Sequence, residues 1–261
     1  MFTSNPFAAL SDSISSTAIQ TYVIVMIALV VGGTLFDVWH KRSAAYFFAS
    51  WRNAQAKGTR RVAGGTIAGL AVRTALVEVL TSAEFGLGRR RVAHLLTMYG
   101  FLLHVATTIV MVFCYPTAAT PTPAVLPQLW VAGALLVMVG GYWFWFFIRV
   151  DVAAEGHTPF RIMRADLFIL SLLASATLGL IWAGLQSIES AGTNVLLGLY
   201  LVATTVLFGS VPWSKFSHMF FKPAAAFEKR VSEAAGSRSN LPAPADEPET
   251  LGSARERPSH Y

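Results

Sequence analysis

The sequence predicts an all-α membrane protein: a bundle of five transmembrane helices with one further helix on the membrane surface. Of its 261 residues, 54% are hydrophobic and 13% are charged, whereas a soluble domain carries about 25% charged residues. The mean hydropathy is +0.53. The chain contains long apolar runs, and its Lys and Arg residues fall in the segments that a five-helix bundle would place on one side of a membrane.

Five apolar runs approach or reach the length of about 20 residues that a helix needs to cross a hydrocarbon core. In chain order they are Ile19–Phe36, Val92–Phe113, Leu129–Ile148, Leu167–Ile188 and Val195–Val211. They define a transmembrane bundle over residues 19–223. A polar periplasmic lead precedes it at residues 1–18, and a Ser-, Pro- and Glu-rich tail, for which we expect disorder, follows at residues 224–261.

The net charge of +6 is a sign of membrane topology, and we expect no nucleic-acid partner. Basic residues follow the first run, precede the second, separate the third from the fourth and follow the fifth. With five spans all of these segments share one side, which the positive-inside rule assigns to the cytoplasm. The N-terminus is then outside and the C-terminus inside, as in a multi-pass protein of the cytoplasmic (inner) membrane with the bilayer as a partner.

The segment Val62–Leu80 is long enough to cross a membrane but contains Arg73 and Glu78. A charge at the bilayer centre costs about 2.5–3.5 kcal/mol, and a crossing here would place basic loops on both sides. We therefore predict a helix on the cytoplasmic surface; the alternative is a sixth span.

Three of the six histidines lie in or beside the apolar runs. His94 and His104 are ten residues apart on the second run, about 15 Å in rise and about 80° in rotation. His218 follows the fifth run, which is antiparallel to the second, so His94 and His218 can meet at one depth. Imidazoles from facing helices can bind a haem in a bundle; the alternative is that they only hydrogen-bond between helices.

Three segments carry a resemblance to a known family: RRVAHLLTMYGFLLHVATT in the second run, RADLFILSLLASATLGL in the fourth, and PWSKFSHMFFKP after the fifth. They resemble the cytochrome b membrane subunits of quinone-linked redox complexes. These include the gamma subunit of respiratory nitrate reductase and the membrane halves of QmoC, DsrM and HdrE proteins. The resemblance covers roughly residues 65–223.

The resemblance implies that His94 and His218 are the axial ligands of a haem b near the cytoplasm, and that His104 binds a second haem nearer the outer face. The family's partner for His104 lies eighteen residues before the terminal His, five full turns away on the same helix face, a position that Tyr200 occupies here. Either the second haem is absent, or Tyr200 or another residue replaces the ligand. We favour one haem, with His104 and Tyr200 lining a quinone pocket or a relic site.

The family's QmoC-type members also carry a cysteine-rich ferredoxin-like domain. This chain has a single cysteine, Cys114, which excludes an iron–sulfur cluster built from its own residues. The resemblance thus implies an electron-transfer subunit of an oxidoreductase complex, which exchanges electrons between quinone and a cytoplasmic iron–sulfur or flavin subunit, in sulfur metabolism. The alternatives are a haem-free anchor that recruits a soluble reductase and, third, a small transporter.

Overall fold

The computed structural model describes residues 3–40, 42–82, 88–149, 162–213 and 218–237, and every regular element in these ranges is a helix. The α-helices are α1 (Ser16–His40), α2 (Ser43–Lys57), α3 (Gly64–Arg73), α4 (Arg89–Cys114), α5 (Val125–Trp143), α6 (Leu167–Gln186), α7 (Thr193–Gly209) and α8 (His218–Ala234). π-Helical segments extend α3 over Thr74–Leu80 and α5 over Phe144–Ile148, and 3-10 turns cover Ala8–Asp12 and Arg164–Asp166.

Among the described residues, four helices are long and apolar enough to cross a membrane: α1, α4, α5 with its π-helical extension, and α6. α7 is also apolar but has 17 residues, about 25 Å of helix. Its role as a fifth span stays a prediction, as does the placement of α3 and its π-helical extension on the membrane surface.

α4 and α5 pack closely against each other because glycines allow their backbones to approach. A Cβ atom at Gly100 would lie 2.7 Å from the carbonyl oxygen of Gly133, and a Cβ atom at Gly140 would lie 2.6 Å from the carbonyl oxygen of Ala93. Small residues let helices approach closely in lipid. Close packing matters there because the hydrophobic effect does not drive helices together when the surrounding lipid tails are equally apolar. The order of these contacts shows that the two helices are antiparallel.

α6 and α7 form a second antiparallel pair, in which the hydroxyls of Ser175 and Thr204 lie 2.8 Å apart. α1 lies along α7 and α4, and its buried residues are Met26 and Asp37. The Tyr22 hydroxyl fastens it by donating to the carbonyl oxygen of Leu201 at 3.0 Å. Most of α1 therefore faces outward, as expected for a helix in contact with lipid.

Residues 3–40, 92–148 and 165–213 contain no Lys or Arg. The described Lys and Arg residues therefore gather at one end of the bundle. The connection between α4 and α5 and the connection between α6 and α7 lie at the opposite end. This segregation is the arrangement on which the positive-inside prediction depends.

The N-terminal lead is an ordered part of the bundle. Phe7 is buried against Trp130 and Trp182, with ring centroids 5.8 and 5.6 Å away. The Asn5 amide donates to the carbonyl oxygen of Tyr115 at 3.0 Å, beyond the C-terminus of α4. The polar sequence of the lead predicted none of this packing.

The last apolar run ends earlier than the sequence suggested, because α7 stops at Gly209 and α8 starts at His218. Pro212 has no N–H to donate to the preceding turn and disfavours helical backbone in Val211. Tyr200 and His218 therefore do not share one helix, and the expectation that they lie five turns apart on one helix face is corrected.

Residues 224–237, which we expected to belong to the disordered tail, are part of the described structure. α8 continues to Ala234 and packs on α2, where the rings of Trp51 and Phe227 stack at 5.7 Å. The Arg60 N–H donates to the carbonyl oxygen of Ala235 at 3.2 Å. Residues 238–261 lie outside the described part of the chain.

Candidate functional site

A cavity of about 390 Å³ runs between α1, α4, α6 and α7, with Phe7 and Leu10 of the lead at one end and Val31 of α1 towards the other. We call it the central cavity. Pockets for cofactors and drug-sized ligands measure about 300–1,000 Å³. Its walls are apolar apart from a few groups, which include His104 on α4 and Tyr200 on α7. The structure thus brings together two of the four predicted site residues.

The imidazole of His104 is held in one tautomer. Its Nδ1 lies 3.0 Å from the carbonyl oxygen of Trp130 on α5. A carbonyl oxygen only accepts hydrogen bonds, so Nδ1 carries a proton. Because a charged imidazolium is costly within an apolar span, the ring is neutral and Nε2 keeps its lone pair.

Trp130 also fixes the orientation of this ring. The indole stacks on the imidazole with ring centroids 4.6 Å apart, and the indole N–H donates to the Thr108 hydroxyl at 2.9 Å. Thr108 in turn donates to the backbone carbonyl of His104 at 2.7 Å. These contacts hold the imidazole rigidly at the cavity wall.

Tyr200 is 5% exposed, and its ring stacks on Trp182 with centroids 5.6 Å apart. A Cβ atom at Gly179 on α6 would lie 3.1 Å from the Tyr200 ring, so this glycine makes room for the phenol. Thr204, which also lines the cavity, donates to the backbone carbonyl of Tyr200 at 2.8 Å.

His94 lies on α4 nearer the basic end and is not part of the cavity wall. Its Nδ1 is 3.0 Å from the hydroxyl oxygen of Ser82. The backbone of His218 begins α8, but its side chain lies outside the described residues. The pairing of His94 with His218 therefore stays a prediction.

The donor chemistry of His94 and His104 fits axial ligation of a haem iron. In such sites the second ring nitrogen typically bonds to a neighbouring oxygen, which fixes the tautomer and makes the ligating nitrogen more basic. Nδ1 of His94 lies 3.0 Å from the Ser82 hydroxyl oxygen, and Nδ1 of His104 lies 3.0 Å from the Trp130 carbonyl oxygen. The phenol of Tyr200 is a poorer partner for His104, because tyrosine binds haem iron as a phenolate, a charge that an apolar wall disfavours.

Within the described ranges, no group of three or more His, Cys, Asp and Glu side chains is placed to hold a bare metal ion. A haem needs one or two axial donors, so this finding concerns sites for single ions. A structural ion pair does occur at the basic end, where Arg149 binds Asp166 through both carboxylate oxygens.

Sequence reasoning missed three residues that shape these sites: Phe7, Ser82 and Trp130. Phe7 stands in a polar lead, and Ser82 follows a segment interpreted as a surface helix. Trp130 stands in a run that is apolar on all sides, so its sequence context does not indicate which face it occupies.

No family model and no solved structure matches this chain. Over 161 residues it is 30% identical to the citrate utilization protein B of Escherichia coli, an alignment that covers 58% of this chain and 41% of that protein. The chain thus spans less than half the length of this curated relative.

Proposed function

We propose that this chain is a haem b-containing membrane subunit that passes electrons between the quinone pool and a cytoplasmic iron–sulfur or flavin oxidoreductase. The observation that carries the proposal is the His104 imidazole, hydrogen-bonded through Nδ1 to the Trp130 carbonyl and lining an apolar cavity of cofactor size. Ionisable groups within apolar spans are rare and tend to be functional.

In this proposal His94 and His218 hold the haem nearer the cytoplasm, and the haem supplies one-electron chemistry between the partner subunit and quinone. The central cavity receives quinone. Its apolar walls suit an isoprenoid tail. The Nε2 lone pair of His104 would accept a hydrogen bond from a quinol hydroxyl, while the Nδ1–H group keeps its hydrogen bond to the Trp130 carbonyl. A second haem between His104 and Tyr200 is the competing assignment.

The proposed topology has five spans, with α7 as the fifth, in a cytoplasmic membrane. The lead lies outside, and α2, α3 and α8 lie at the cytoplasmic surface. Basic side chains on this surface would meet the anionic lipid headgroups and the partner subunit. The likeness to a protein named for citrate utilization suggests a partner acting on a citrate-type carboxylate. The family resemblance suggests sulfur compounds instead, and identification of the co-purifying subunits decides between them.

The test is the haem content of the chain, purified with its partners and measured by the pyridine hemochromogen assay. The proposal expects at least one haem b per chain, and His94→Ala and His218→Ala should each abolish its reduced absorption band. His40→Ala is the control, because His40 is an exposed imidazole at the end of α1. A colourless wild-type protein would instead support the haem-free anchor.

The second-haem assignment has its own test. His104→Ala should leave the haem content unchanged if the central cavity receives quinone, and should slow haem reoxidation by added quinone. Loss of one haem of two in this variant would replace the quinone assignment with the second haem.

A further inference from the structure

Ser82 lies between the π-helical extension of α3 and the start of α4, and its backbone is unusual. Its φ angle is +48°, in the left-handed region that residues with a Cβ atom rarely adopt. The residue is 2% exposed. Strained conformations of this kind persist where the surroundings enforce them, and they cluster at functional sites.

α4 enforces this conformation by binding the residues just before Ser82. The Tyr99 hydroxyl donates to the carbonyl oxygen of Leu80 at 2.6 Å, and Nε of Arg91 donates to the carbonyl oxygen of Thr81 at 2.7 Å. Together with the contact between Ser82 and His94, three side chains of α4 thus bind three consecutive residues. Residues 80–82 therefore pack along α4, the helix that carries His94.

The helix that leads into this segment is also irregular. Thr74–Leu80 is π-helical, a conformation that is rare and frequent at functional sites. This π-helical segment leads directly into Thr81 and Ser82, which contact Arg91 and His94 of α4. A regular surface helix requires neither the π-turn nor a left-handed serine.

We propose that Ser82 is a positioning residue for His94. The Ser82 hydroxyl oxygen and Nδ1 of His94 lie 3.0 Å apart; in the tautomer that a haem ligand requires, the Nδ1–H group donates to the Ser82 hydroxyl oxygen and Nε2 is the ligating nitrogen. The hydrogen bond makes the imidazole a stronger donor, which favours ferric over ferrous haem. The inference rests on the proposed function, because it presupposes a haem bound by His94, and it gives the α3 segment a role beyond contact with the membrane.

The experiment compares Ser82→Ala and Ser82→Gly in the full chain purified with its partners. Both remove the hydroxyl, but glycine adopts the left-handed backbone without strain and so protects against misfolding. Thr81→Ala is the matched control, since the Thr81 hydroxyl bonds only the Val77 carbonyl among the described residues. The readouts are the haem midpoint potential, the electron paramagnetic resonance spectrum of the ferric haem, and the rate of haem loss.

Both Ser82 variants should shift the midpoint potential upward, change the spectrum of the ferric haem and lose haem about tenfold faster, as expected when an outer-shell partner is removed. Thr81→Ala should match the wild type. If both Ser82 variants keep the wild-type potential and spectrum, the positioning role is overturned. His94→Ala separates this failure from that of the proposed function, because a band retained in that variant would remove the ligand assignment itself.

Discussion

Nδ1 of His104 lies 3.0 Å from the carbonyl oxygen of Trp130, and this contact between α4 and α5 determines which nitrogen of a membrane-embedded imidazole keeps its lone pair. Gly133 permits the contact, because the backbones of the two helices approach so closely that a Cβ atom there would lie 2.7 Å from the backbone nitrogen of His104. The close packing of α4 and α5 at Gly133 therefore also determines the tautomer of His104.

The first prediction concerns this close approach. Gly133→Ala should destabilise the protein and displace His104, because the added methyl group would contact backbone, which cannot move aside as a flexible side chain can. Overpacking of this kind costs about 1–3 kcal/mol or more. The measurement is thermal unfolding in detergent. Gly198→Ala on α7 is the control: a Cβ atom there meets nothing within 4 Å, so its melting temperature should not fall.

The second prediction concerns the indole of Trp130. Trp130→Phe keeps the backbone carbonyl and an aromatic ring but removes the N–H that donates to Thr108. The imidazole of His104 should keep its tautomer and gain mobility, so quinone-dependent reoxidation should slow by a few-fold with unchanged haem content. Stopped-flow reoxidation measures this rate. Thr108→Val should reproduce the effect, and a normal rate in both variants would show that the indole N–H has no part in orienting the imidazole.

A third prediction concerns the ion pair of Arg149 and Asp166, whose side chains are 7% and 10% exposed. Arg149→Ala should lower the free energy of unfolding by about 3–5 kcal/mol, because it leaves a carboxylate buried without its cation. The carboxylate also accepts from the Met163 N–H at 2.8 Å. The measurement is chemical or thermal unfolding.

The double variant Arg149→Ala with Asp166→Asn serves as the comparison for this pair. It should recover part of the stability, since no unpaired charge remains. Equal losses in the single and double variants would contradict a dominant electrostatic role. A normal rate of quinone reduction in the double variant would show that the Asp166 carboxylate has a structural role and takes no part in proton exchange with quinone.

The fourth prediction concerns the N-terminal lead, whose Phe7 closes one end of the central cavity. Phe7→Ala should cost about 3–5 kcal/mol, as a large-to-small change in a packed core does, and should open the cavity at the end opposite the basic residues. Thermal unfolding and quenching of tryptophan fluorescence by a water-soluble quencher test the two effects. Asp12→Ala, at an exposed position of the same lead, should change neither.

Part of the candidate site was predictable from the residues alone. His94 and His104 stood out because ionisable groups in apolar runs are expensive, and Tyr200 because it occupies a position where the cytochrome b subunits that the sequence resembles have a ligand. The structure places His104 and Tyr200 on one cavity wall and His94 elsewhere. Ser82 and Trp130 were not predictable, because their partners are 12 and 26 residues away along the chain and neither stands in a recognisable motif.

The sequence by itself determined that the chain is helical, that several helices are long and apolar enough for a membrane, and that the five apolar runs contain no Lys or Arg. These properties follow from composition and run length, which are local. The tertiary structure decided where α7 ends, that the lead enters the core, which helix faces enclose the central cavity, and which nitrogen of His104 keeps its lone pair. In helices that are apolar all round, every face looks alike in the sequence. Which face packs is therefore settled by close contacts at glycines and by hydrogen bonds between helices, and these contacts form only when the chain folds.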